Sequence, residues 1–111
     1  MPALEPAEAK GLIEMAKFVF IYRAPKNYMP ASDDTTAAWM AWFGALGAKI
    51  VDPGDQVFER TAVGDAVADS DLAGYSVITA DDLASARELA NGCPGLQEGF
   101  TVEVGKLAQV S

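Results

Sequence analysis

An α+β domain of the ferredoxin-like, split βαβ type is predicted by three features of the sequence. These are an aromatic and β-branched run at 16–23, an amphipathic run after residue 32 that carries both tryptophans, and a strand, helix, strand succession between 73 and 107. The arrangement is an antiparallel sheet with two helices on one face. A chain of 111 residues, half of them apolar and 22% charged, suits one domain with enough core to fold without staples.

Residues 1–14 are rich in Ala, Glu and Pro, lack a sustained apolar stripe and read as an N-terminal extension. Residues 15–111 then form the single domain. From Ala16 to Arg23 the side chains alternate, with Phe18, Phe20 and Tyr22 on one face and Val19 and Ile21 on the other. Both faces are apolar, so both require cover. Pro25 and Pro30 bracket a loop, since proline lacks a backbone donor and restricts its predecessor.

Ser32, Asp33 and Asp34 provide capping oxygens at a helix start, and Trp39, Trp42, Phe43 and Leu46 recur with helical spacing. Gly47 fits the left-handed position that ends the helix, and Ala48–Val51 can begin a strand. Asp52-Pro53-Gly54-Asp55 has the residues of a type II turn, and Gln56–Val63 reads as a further extended segment before a turn at Gly64-Asp65.

Asp69-Ser70-Asp71 reads as a solvated acidic loop. It resembles a calcium loop only in part, because Ala73 and Ala80 stand where ligating carboxylates belong. Ala73–Thr79 follows as a strand that stops where Asp81 can cap a second helix with Leu83, Ala86 and Ala90 inward. Asn91-Gly92-Cys93-Pro94 stops that helix, and Phe100, Val102 and Val104 alternate with Thr101 and Glu103 in a final strand reaching about Leu107. Two helices cover one sheet face only. The other face, apolar in the first strand, calls for a second subunit, so the chain is expected to be a homodimer packed sheet to sheet.

Sixteen acidic against eight basic residues give a net charge of −8, which argues against nucleic acid and anionic membrane surfaces as partners. Glu5 and Glu8 lie where a secretory signal would be basic, and a single cysteine, Cys93, suits a reducing compartment, so the expected location is cytoplasmic. The chain has no histidine. That excludes Ser-His-Asp and Cys-His nucleophile systems and leaves no Cys/His zinc site; no metal and no cofactor are expected.

The stretch Leu72 to Pro94, followed by Phe100-Thr101-Val102-Glu103-Val104, resembles the YCII-related family of dimeric α+β barrel proteins. Trp39-Met40-Ala41-Trp42-Phe43, the Leu46-Gly47-Ala48-Lys49 helix exit and Asp52-Pro53-Gly54 are also similar to that family. The resemblance covers nearly everything after Glu14. It implies a ferredoxin-like protomer and a dimer whose sheets face each other. For family members with a suggested activity, it implies a histidine working with an aspartate in a small-molecule cleft. Similar sequences often carry a histidine after the Cys-Pro step, where this chain has Gly95.

Candidate ligand-pocket residues are Tyr22 and Arg23 at the end of the first strand, Trp39 on the first helix, Tyr75 at the start of a later strand, and Glu103 on the last. Arg23 can hold a ligand carboxylate, and Trp39 can wall a hydrophobic cleft. Against this stand plainer roles: core packing for Trp39, Trp42 and Phe43, a surface ion pair for Arg23, and an inert buried thiol for Cys93. The first functional expectation is a dimeric domain that binds a small organic ligand or acts as an accessory, without histidine-dependent catalysis. The second is an isomerase or lyase using Tyr22, Glu103 and Arg23.

Overall fold

A computed structural model describes residues 16–28, 33–64 and 69–108. The expected N-terminal extension, Ser32, Pro30 and Asp65 lie outside the described residues. The element order is β1 (Ala16–Pro25), α1 (Asp33–Leu46), β2 (Ile50–Asp52), β3 (Ser70–Ala80), α2 (Leu83–Ala90) and β4 (Thr101–Lys106), with short 3-10 turns at Gly47–Lys49 and Pro94–Glu98. The strands form one antiparallel sheet in the order β2-β3-β1-β4. This is the ferredoxin-like arrangement that the element order predicts.

Strand alternation decides what each side chain does. On β1, Ala16, Phe18, Phe20, Tyr22 and Ala24 are buried, and all but Ala24 join one core cluster with Trp42, Leu46, Ile78, Ala86, Ala90 and Cys93. Both helices therefore pack on this face. Register places Val19 opposite Val77 and Gly105, and Ile21 opposite Tyr75 and Glu103, on the other face. No described helix covers that side, and Val19, Ile21, Tyr75 and Val77 remain half-buried there.

Several boundaries differ from expectation for identifiable reasons. β1 continues through Pro25, where a missing N–H costs nothing because pairing with β4 has already ended at Arg23 opposite Thr101. A register shift between Tyr22 and Arg23 makes Ala73 the extra residue of a bulge. Asp82, not Asp81, caps α2, its carboxylate accepting from the Ser85 N–H at 2.8 Å. Gln56–Val63 is not a strand: Gln56 alone bridges to Gly74.

Asp71 is not a loop residue. It lies in β3 and receives Arg60 at 3.3 Å and Lys26 at 3.6 Å, and hydrogen bonding from Arg60 holds its carboxyl below the usual carboxylate range. Gly47 and Gly54 do adopt left-handed backbone, φ +52° and +77°, as the helix exit and the turn require. Among the described residues no helix is long and apolar enough to cross a membrane.

Candidate functional site

The sheet separates the candidate residues into two groups. Tyr22 and Trp39 lie on the helix-covered side, where their rings meet edge to face with centroids 5.0 Å apart. Trp42 crosses Tyr22 at 6.2 Å and lies nearly parallel to Phe20 at 6.0 Å, while Trp39 reaches Phe100 at 6.0 Å. This aromatic layer results from helical spacing on α1 meeting period-two spacing on β1.

Tyr22 is a core residue with a polar tip. Its hydroxyl donates to Ser76 Oγ at 2.8 Å, and Ser76 in turn donates to the Pro53 carbonyl at 2.7 Å. The relay satisfies a fully buried serine and joins the core to the turn after β2. Burial drives the Tyr22 hydroxyl far above its usual pKa, so it keeps its proton throughout the neutral range.

Arg23, Tyr75 and Glu103 fall on the uncovered side. Tyr75, Ile21 and Glu103 stand in one row across β3, β1 and β4, and Arg23 Nε donates to Glu103 Oε1 at 3.3 Å. The ion pair is water-exposed, with the Glu103 side chain 63% accessible, and so contributes little stability by itself. Its chemistry is polar and two-sided: a guanidinium suited to a carboxylate or enolate oxygen beside a carboxylate that accepts from a hydroxyl. The acid-base set of Tyr22 with Arg23 and Glu103 is not assembled, because adjacent strand residues point to opposite faces.

Gly95 occupies the position after Cys93-Pro94. It is buried, and a β-carbon there would come within 2.9 Å of Phe100 Cγ and Trp39 Cζ2. The space that a side chain would need is already filled by rings. Cys93 is buried too, and desolvation pushes its thiol up to about 11, away from a nucleophilic thiolate. Tyr28 donates to Glu98 Oε2 and stacks edge-on against Phe100 at 4.8 Å; burial and that carboxylate raise its hydroxyl to about 12.

A concavity of about 180 Å³ lies between the end of β3 and α2, lined by Lys49, Thr79, Ala80, Asp81, Ser85 and Leu89. It contains none of the candidate residues and is smaller than a typical ligand pocket. Among the described residues no group of three or more Cys, Asp or Glu side chains converges as a metal site would require.

No protein-family model matches the chain, and a search of curated proteins finds no relative. The fold does match a solved structure. It is similar to 5-chloro-2-hydroxyhydroquinone dehydrochlorinase (TftG) from Burkholderia phenoliruptrix AC1100, in complex with 2,5-dihydroxybenzoquinone. The TM-score is 0.62 at 16% identity, over 85% of this chain and 95% of that one. Identity at this level shows the fold alone, a four-stranded antiparallel sheet with two helices of the ferredoxin-like type.

Proposed function

We propose that the chain is a YCII-like domain of the cytoplasm that forms a homodimer through its uncovered sheet face and binds a small organic molecule without histidine-dependent catalysis. The observation that carries this reading is the uncovered face itself. Val19, Ile21, Tyr75 and Val77 make an apolar centre there, with the Arg23–Glu103 pair at one end. A sheet that pairs with a second copy places this polar pair beside an apolar wall, which is the composition of a small-molecule site.

The ligand class follows from the pair: a small planar molecule bearing an anionic or carbonyl oxygen for Arg23 and a hydroxyl for Glu103. Hydroxylated quinones and hydroxybenzoates fit that description, and the fold likeness to TftG, solved in complex with 2,5-dihydroxybenzoquinone, supports this class. Gly95 packed beneath Trp39 and Phe100 supports the absence of the histidine mechanism suggested for the family.

A titration with 2,5-dihydroxybenzoquinone, simple hydroxybenzoates and small lactones, followed by calorimetry and by NMR for turnover, tests this. Binding without turnover is expected, weakened about tenfold or more by Arg23→Gln. Binding indifferent to Arg23→Gln contradicts the site. Turnover abolished by Arg23→Gln contradicts the non-catalytic reading and favours an isomerase or lyase built on the uncovered face.

A further inference from the structure

After β2 the chain does not turn back at once. Residues 53–60 are held along the β2 side of β3. Pro53 O accepts from Ser76, Gly54 N–H donates to Asp52 Oδ1 at 2.8 Å, Gln56 bridges Gly74, and Val57 N–H donates to Ala73 O at 2.9 Å. Two glycines permit the close approach. A β-carbon on Gly54 would lie 1.7 Å from the Tyr75 carbonyl oxygen, and one on Gly74 would lie 2.9 Å from that of Asp55.

The hold extends past Phe58. Arg60 donates to the carbonyls of Val57 and Phe58 at 3.3 and 3.1 Å and to the Asp71 carboxylate at 3.3 Å. Yet Phe58, inside this secured stretch, is 80% exposed, and Val63, three residues past its last contact at Arg60, is 100% exposed. Nothing in the protomer's own core needs either side chain. A large ring kept in water on a held backbone is the pattern of a recognition surface, because ordering it in advance removes part of the cost of binding.

We propose that residues 53–64 form an arm that grips a second copy of this chain, with Phe58 and Val63 as its anchors. The inference rests on the sheet-to-sheet dimer proposed above and specifies what completes it. Strands of 10, 3, 11 and 6 residues, about 4.8 Å apart, give the open face a footprint of roughly 500 Å². A stable specific interface buries about 800 Å² per partner, so the sheet alone supplies only part of it.

The arm adjoins that face, since Gly54 abuts Tyr75 both at its backbone and at its ring.

The test compares the unmodified chain with Phe58→Ser, Val63→Ser and the open-face variant Val77→Lys by sedimentation equilibrium, together with hydroxyl-radical footprinting of Phe58. Both serine variants are expected to keep the circular dichroism of the parent, because these side chains are exposed in the protomer. Phe58→Ser is expected to raise the dimer dissociation constant on the order of 100-fold, as two rings per dimer lose their burial. Oxidation of Phe58 should fall when the dimer forms.

A dissociation constant that Phe58→Ser leaves within about threefold of the parent, in a protein that Val77→Lys renders monomeric, overturns the arm and leaves the sheet dimer standing. Oxidation of Phe58 that is equal in monomer and dimer overturns the arm as well and assigns the ring to some other partner. A dimer indifferent to Val77→Lys, or no dimer at all, overturns the sheet reading and the arm with it.

Discussion

Gly95 lies so close to Trp39 that a β-carbon at this position would come within 2.9 Å of the indole Cζ2, and equally close to Phe100 Cγ. The step after Cys93-Pro94 is thus built around the absence of a side chain. Gly95→Ala is expected to destabilise the protein by about 1–3 kcal/mol through overpacking, read as a lower urea midpoint at unchanged slope. Gly95→His should be worse and should create no activity. An unchanged midpoint for Gly95→Ala would show that the ring cluster is looser than this contact indicates.

The start of α2 distinguishes two neighbouring aspartates. Asp82 accepts from Ser85 N–H at 2.8 Å, and this bond holds its carboxyl below the usual range. Asp82→Ala is therefore expected to lower the melting temperature by a few degrees, and Asp81→Ala to leave it nearly unchanged. The folded pKa is the depressed one, so the cap contributes above the unfolded value of 3.8 and its contribution is lost as the pH falls. Equal effects of the two variants in thermal denaturation would contradict this assignment.

Alkaline pH reports on Cys93. Its thiol is raised from 9.0 to about 11 by burial, so the folded state keeps a proton that the unfolded chain releases. Stability is whole below pH 9 and falls as the pH climbs toward 11, at up to about 1.4 kcal/mol per unit. Tyr28, raised to about 12, acts in the same direction above pH 10. Denaturation midpoints measured from pH 7 to 10.5 should show the decline, and Cys93→Ala should delay its onset. A decline that begins equally early in Cys93→Ala would assign it to other groups.

Much of the fold was legible because it rests on local rules. Period-two alternation at 16–23 identified β1 and its two faces, and Asp52-Pro53-Gly54 identified a turn whose glycine adopts φ +77°. Gly92 was less transparent. It looks like a left-handed helix stop but has no positive φ; its requirement is close packing, with a β-carbon 3.0 Å from Trp42 Nε1, and that contact spans fifty positions of sequence. The Tyr22/Arg23 bulge and the pinning of residues 53–60 likewise depend on partners far along the chain.

The candidate site was half legible by the same reasoning. Arg23, Tyr75 and Glu103 do share a face, and their register follows from strand pairing. Tyr22 is a candidate in the sequence because it ends the alternating run beside Arg23, and Trp39 because its ring can wall a hydrophobic cleft. Alternation alone could have separated Tyr22 from Arg23, since neighbours in a strand cannot face the same side. Ser76, which fixes the Tyr22 hydroxyl, carries no sequence signal beyond being polar at an inward strand position.

Molar mass by light scattering at micromolar concentration, for the parent chain and for Val77→Lys, tests the central claim that the uncovered sheet face joins two copies. The parent is expected at twice the 11.7 kDa chain mass and a folded Val77→Lys at the single-chain mass. A parent chain that remains a stable monomer with Val19, Ile21 and Val77 in water would contradict it.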